Sequence, residues 1–295
     1  MRKIFGVLGA LVLIGLAVFW SITRPHLLSD DDVAGFAPDL MRGKYVFTAA
    51  GCASCHAAPG AEGEAMLVLA GGKAFPSPFG TFHAPNISPS PEGVGGWSVA
   101  DLANALHEGV GKGGMHLFPA LPYTSYRRMD LGDIAALRAY LQTLPPSDAA
   151  SLPHDVPFPF NIRRSLGGWK LLFLKDGFVR TEVPADAEAG RYIVEALAHC
   201  GECHTPRNAL GGLDLSRWLG GAPSPDGKGK IPNITPGALT WSESEIVDYL
   251  KTGFTPEFDS AGGLMAEVIE NMAQLPDEDL MSIAKYLKSL PPVEK

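Results

Sequence analysis

Cys52-Ala53-Ser54-Cys55-His56 and Cys200-Gly201-Glu202-Cys203-His204 decide how this 295-residue chain is read. Two cysteines separated by two residues, with histidine directly after the second, form the pattern to which a c-type haem is attached. The thiols become thioethers on the porphyrin, and the histidine is placed to ligate the iron. The copies lie 148 residues apart and use all four cysteines. A tetrahedral zinc site built from the four thiolates is the sharpest alternative. The histidine that closes both copies favours haem. A thioredoxin-type redox pair fits less well, because the motif is duplicated and no βαβ pattern surrounds it.

Working outward from the motifs, the chain repeats itself. Gly43-Lys44-Tyr45 matches Gly190-Arg191-Tyr192, and Pro85-Asn86-Ile87-Ser88-Pro89 matches Pro232-Asn233-Ile234-Thr235-Pro236. Trp97-Ser98 matches Trp241-Ser242, and Tyr140 to Pro146 matches Tyr286 to Pro292. The offsets are 147, 147, 144 and 146 residues, in constant order, so the chain is a tandem duplication. Each unit reads as helices joined by long loops. A first helix is expected around 38–50 and again around 186–199. Ser98 to Asp101 and Ser242 to Glu245 fit the capping-box pattern at a helix start. Val99, Leu102 and Leu106, and likewise Ile246, Tyr249 and Leu250, then follow at helical spacing. The last helix of each unit stops before Pro145-Pro146 or Pro291-Pro292, since proline cannot continue the hydrogen-bond ladder. Strand alternation is nearly absent, which predicts an all-α fold.

Four segments result: an N-terminal anchor over 1–24, a first haem domain over 35–146, a connector over 147–185 and a second haem domain over 186–293. The connector contains Pro153, Pro157, Pro159 and Pro184, but also Phe158, Phe160, Trp169, Leu171, Leu172 and Phe173. That is too apolar for a free linker, so it is expected to pack across both domains; a short surface helix without such a role is the alternative. Gly and Pro make up 59 residues, a fifth of the chain, so loops are long. The formal charge of -8 argues against a nucleic-acid partner, because neutralising phosphates needs a basic surface.

Arg2 and Lys3 precede 19 uncharged residues, Ile4 to Ile22. As a helix this run reaches about 29 Å, close to the roughly 30 Å of a bilayer's hydrocarbon. Trp20 stands where an interfacial aromatic is expected. A cleaved signal peptide is the alternative, although no Ala-x-Ala site follows. The favoured expectation is an uncleaved single anchor in a bacterial inner membrane with everything after it in the periplasm.

Residues 35–293 resemble class I cytochrome c domains, and more narrowly the membrane-associated multihaem cytochrome c subunits of bacterial alcohol, gluconate and aldehyde dehydrogenases. The resemblance is carried by Phe79-Gly80-Thr81-Phe82, Asn86 to Pro89, Gly96-Trp97-Ser98, Leu117 to Tyr123, Cys200 to Arg207, and Gly263 to Val268. Many such subunits carry three haems; two motifs make this chain look like a shorter diheme relative. The resemblance implies two covalent haems, at Cys52/Cys55 and Cys200/Cys203, with His56 and His204 as iron ligands. It implies an exported dehydrogenase as electron donor, and a terminal oxidase, quinone or another cytochrome as acceptor. It also implies that first and last helices cross at Gly43 with Tyr140 and at Gly190 with Tyr286. Trp97 and Trp241 are placed to reach haem propionates, with simple core packing equally open.

Class I haems usually take a methionine as sixth ligand. In the second unit Met265, 12 residues beyond Gly253, is the expected ligand; Met272 sits in an apparently helical stretch and reads as core. In the first unit the same count from Gly109 reaches Leu121, which cannot bind iron. Met129, just before the last helix, is then the leading candidate, with a core methionine as its alternative reading. His116 is the next candidate, followed by Met115, a remote histidine such as His83, or an open haem. With Met129 both potentials should be similar and fairly high; with His116 the first haem should sit lower. The expected function is a membrane-anchored diheme relay of single electrons rather than an enzyme. The competing reading is a haem enzyme of diheme peroxidase or thiosulfate-oxidising type acting at an open first haem, although no distal acid–base pair stands out. A sensory or assembly role with structural haem is the third.

Overall fold

The computed structural model describes residues 2–224 and 229–294. Met1 of the expected anchor and residues 225–228 of the expected second haem domain lie outside the described residues. The fold is mostly helical. Among the described residues, strands are confined to three two-stranded antiparallel ribbons: Ala74–Ser77 with Gly80–His83, Val110–Gly111 with Met115–His116, and Ala222–Pro223 with Lys230–Ile231.

The first half contains α2 (Leu40–Ala49), α3 (Cys52–His56), α4 (Val99–His107), α5 (Tyr123–Tyr126) and α6 (Leu131–Leu141), after α1 (Arg2–Ile22). The connector carries α7 (Ser165–Phe173). The second half contains α8 (Glu188–Tyr192), α9 (Gly201–His204), α10 (Glu243–Thr252), α11 (Leu264–Met272) and α12 (Asp277–Ser289). Both expected capping boxes form: the hydroxyls of Ser98 and Ser242 accept from the backbone N–H of Asp101 and Glu245, whose carboxylates return the bond.

First and last helices cross at glycine in both halves. A Cβ on Gly43 would lie 2.1 Å from the Ala136 carbonyl oxygen, and one on Gly190 would lie 1.9 Å from that of Ser282. No larger residue permits that approach. The expected helix over 186–199 is not uniform: α8 runs into a π-helical turn, Ile193–Leu197. The cause is one extra residue. Nine positions separate Gly43 from Cys52, but ten separate Gly190 from Cys200. A π-turn absorbs a single insertion while keeping both the crossing and the motif in place. The widened turn holds Glu195, fully buried, whose carboxylate accepts from Tyr286 Oη at 2.5 Å and from the backbone N–H groups of Val179 and Arg180.

The halves also pack on each other through reciprocal pairs. Tyr45 Oη donates to Asp279 at 2.8 Å, and its counterpart Tyr192 Oη donates to Asp133 at 2.6 Å. Asn271 Nδ2 donates to Ser54 Oγ at 2.8 Å, and Ser125 Oγ donates to Glu202 at 3.2 Å. When residue i meets j and the equivalent of j meets the equivalent of i, the units are related by an approximate two-fold axis. The connector fastens to both sides: Lys170 Nζ donates to the Gly109 carbonyl at 2.6 Å, and Trp169 Nε1 to that of Leu210 at 2.8 Å.

The helix α1 is apolar and fully exposed, and is long enough to cross a bilayer. Its exit is fixed to the first half. Thr23 is buried, with its carbonyl accepting from His116 Nε2 at 3.0 Å. The Leu28 backbone exchanges two hydrogen bonds with the Asn104 side chain, at 2.7 and 2.9 Å.

Candidate functional site

Two equivalent sites form around the cysteine motifs. Each motif is a single helical turn, α3 or α9, which sets both thiols and the following imidazole on one short scaffold. None of the four cysteines pairs in a disulfide. Desolvated surroundings push the Cys52 and Cys200 thiols up to about 12. Among the described residues no three His, Cys, Asp or Glu side chains converge as a metal-binding group, so the four thiols do not form the tetrahedral set that zinc requires.

The two histidines are oriented identically. His56 Nδ1 donates to the Pro85 carbonyl at 2.9 Å, and His204 Nδ1 to that of Pro232 at 2.8 Å. Burial pushes both imidazoles below the usual range, while those carbonyl bonds oppose the shift. A neutral ring whose Nδ1 hydrogen is committed to a carbonyl presents an Nε2 lone pair in a fixed direction, the arrangement a metal-ligating histidine needs. The backbone repeats it as well: Gly71 and Gly221 each donate N–H to the carbonyl of the motif histidine, both at 2.7 Å. These residues fit a c-type haem at each motif.

The remaining candidates are dispersed around these centres. Trp97 and Trp241 are half-buried at the start of α4 and α10; their carbonyls accept from Arg138 and Lys288, while their indole N–H groups have no protein partner among the described residues. By contrast, the indoles of Trp169 and Trp218 donate to Leu210 and Tyr286. Free donors on Trp97 and Trp241 suit contact with a carboxylate such as a propionate. Met265 occupies the first turn of α11, half-buried against the core, rather than the loop before it. Met272, at the far end of α11, is buried core as expected.

In the first half each expected sixth-ligand candidate has distinct surroundings. His116 is buried with both ring nitrogens engaged: Nε2 donates to Thr23, and Nδ1 accepts from Lys170 Nζ at 3.1 Å. It braces the root of α1 and has no nitrogen left for iron. Its neighbour Met115 is exposed on the ribbon. Met129 is buried beneath α6, and its carbonyl accepts from His107 Nε2 at 2.6 Å. Leu121 lies half-buried ahead of α5.

Sequence reasoning missed the residues that join the two sites. Glu202, inside the second motif, accepts from Thr124 Oγ1 at 2.5 Å and pairs with Arg207. Lys73 donates to the Ser54 carbonyl inside the first motif at 2.9 Å and pairs with Glu267 at 2.7 Å. Each haem-attachment turn is thus tied to the segment before the last helix of the other half. The available signal was that Ser54 and Glu202 are the polar residues inside their motifs.

Comparison with known proteins agrees with this architecture. The cytochrome c family model matches residues 40–145. A diheme cytochrome c-type protein of Cereibacter sphaeroides is 55% identical over 288 residues, covering 97% of both chains. The fructose dehydrogenase cytochrome subunit of Gluconobacter japonicus is 43% identical, over 86% of this chain and 53% of its own length. The cytochrome c subunit of the quinone-dependent alcohol dehydrogenase of Gluconobacter oxydans is 34% identical, over 86% of this chain and 55% of its own. The chain spans about half the length of these last two relatives. With paired cysteines, an oriented histidine and a glycine-crossed helix pair in each half, the chain belongs to the cytochrome c family, as a haem c-binding electron-transfer protein similar to the cytochrome subunits of dehydrogenases.

Proposed function

We propose that the chain is a diheme relay that passes single electrons from an exported dehydrogenase towards a terminal oxidase, quinone or another cytochrome. It is held in the inner membrane by α1, with both haem domains in the periplasm. The observation that carries this reading is the duplicated proximal site, in which His56 and His204 are oriented by Pro85 and Pro232 at nearly equal distances. When bound, c-type haem supplies a one-electron Fe(III)/Fe(II) couple.

The chain's own residues do the rest. Cys52, Cys55, Cys200 and Cys203 hold the porphyrins covalently. Met265 would offer its thioether to the haem of the second site, where sulfur ligation would favour the reduced metal and raise its potential. The indole N–H groups of Trp97 and Trp241 would hydrogen-bond the propionates. The reciprocal contacts through Ser54, Asn271, Ser125 and Glu202 hold the two attachment turns face to face, which keeps the gap an electron must cross short and constant. No bound substrate and no general base are required. The fixed exit of α1, through Thr23 and Leu28, supports a rigid mount rather than a loose tether.

The test is reconstitution. The full chain in membranes should be reduced when a purified dehydrogenase of this class and its substrate are added, and reoxidised by the respiratory chain. Failure of reduction with several such dehydrogenases, in haem-loaded protein, would contradict the proposal.

A further inference from the structure

The two halves can be matched position by position through their hydrogen bonds. At the exit of the middle helix, Leu117 N–H donates to the Gly109 carbonyl at 2.7 Å, and Ala261 N–H to that of Gly253 at 2.8 Å. Both glycines have positive φ, 58° and 77°. The equivalence therefore enters the distal segment at an offset of 144 residues, and carried four residues on it pairs Leu121 with Met265. Before the last helix the pattern resumes at another offset. Met129 N–H donates to the Tyr126 carbonyl and Leu275 N–H to that of Met272, both at 2.9 Å. The glycine crossings confirm that offset of 146, with Ala136 facing Gly43 and Ser282 facing Gly190. So Met129 is the counterpart of Leu275, and both are buried beneath the last helix, 2% and 6% exposed.

The first half therefore has leucine where the second has its candidate thioether, and methionine where the second has a core leucine. The Met129 side chain is buried beneath the last helix, and His116 has both nitrogens engaged. We propose that the haem bound at Cys52, Cys55 and His56 has no sixth ligand from the protein. Its distal position, beside Leu121, accepts a small exogenous ligand: a neutral diatomic on the ferrous metal, or a small anion on the ferric. Leu121 is half-buried and packs against the core, and its side chain offers iron only apolar carbon. The inference rests on the proposed haem attachment and adds an asymmetry to it. The second site is a closed redox centre, and the first is a coordination site as well.

The experiment uses the full-length, haem-loaded protein in detergent, with haem content fixed beforehand by pyridine haemochrome so that a failure of attachment is seen separately. The reduced protein is titrated with carbon monoxide and the oxidised protein with cyanide, followed in the Soret band. The wild type should bind one carbon monoxide per chain and show a high-spin ferric signal from one of its two haems. Leu121→Met should abolish that binding and leave both haems low-spin. Met265→Leu should raise the stoichiometry to two, a gain that misfolding would not produce. Met129→Leu should leave it at one. A wild type that binds neither probe overturns the proposal. If binding then appears in Met129→Leu or in His116→Gln, that residue is the ligand.

Discussion

Gly190→Ala is the perturbation whose cost follows most directly from the packing. The added Cβ would sit 1.9 Å from the Ser282 carbonyl oxygen, 2.2 Å from its carbon and 2.6 Å from the Ile283 nitrogen. Ordinary contact begins near 3.5 Å, so α12 must retreat by roughly 1.5 Å. A backbone carbonyl cannot swing aside as a side chain does. Retreat also stretches the 2.7 Å bond from Gly190 N–H to Ser282 Oγ and loosens the buried Leu280, Ile283 and Tyr286. Overpacking of this kind costs about 3 kcal/mol at the upper end of the usual range. Alanine returns about 1 kcal/mol of helix propensity. The net loss is about 2 kcal/mol, which for a cooperative unit of this size lowers the melting temperature by about 4–8 °C. The assay is thermal denaturation of the haem-loaded chain followed by far-ultraviolet circular dichroism. Gly168→Ala, inside α7 and with its Cβ 3.7 Å from its nearest neighbour, serves as control: it keeps the propensity gain of about 1 kcal/mol without the clash and should melt slightly above the wild type. A Gly190→Ala protein that melts with the wild type would refute the crossing.

Tyr192→Phe removes the hydroxyl that donates to Asp133 and accepts from the Asp130 N–H at 3.0 Å; it should cost about 1.5–3 kcal/mol in urea unfolding, as expected for a hydrogen bond to a charged group. Ser242→Ala deletes the α10 cap and should cost about 1 kcal/mol by the same measurement. His154 sits edge-on between Phe82 and Phe118 and accepts from His83 N–H at 3.1 Å. Burial, with Arg163 and His83 nearby, holds its imidazole below the usual 6.5. The unfolded chain therefore binds the extra proton first, so His154 contributes stability above pH 6.5 that is lost as pH falls through its folded-state value. Urea midpoints should drop on acidification over that window, and His154→Gln should flatten the profile.

Much of the fold was legible because two independent copies of one pattern sit in one chain. Glycine before each motif, capping serines and terminal proline pairs each had a local physical meaning, and each formed as read. The ribbons were missed because their strands are two to four residues long, too short for alternation to register. The π-turn was visible only as a change of offset from 147 to 148 between the crossing glycine and the motif. At the sites, the proximal histidines could be named from spacing, but the carbonyls that orient them come from a loop 28 or 29 residues away. His116 shows the limit most clearly: a loop histidine near a haem motif reads as a ligand until Lys170 and Thr23, 54 and 93 residues away, are seen to occupy its ring. Met129 is similar: its burial beneath the last helix, 2% exposed, could not be read from the sequence.

The account stands on both cysteine pairs carrying covalent porphyrin. Intact-protein mass spectrometry of the chain matured in a periplasm, combined with pyridine haemochrome absorbance, measures this directly. Two haems per polypeptide that survive acid-acetone extraction, one lost in Cys52→Ala/Cys55→Ala and the other in Cys200→Ala/Cys203→Ala, is the predicted result. A chain that carries one haem or none, or whose cysteines hold zinc instead, would contradict it.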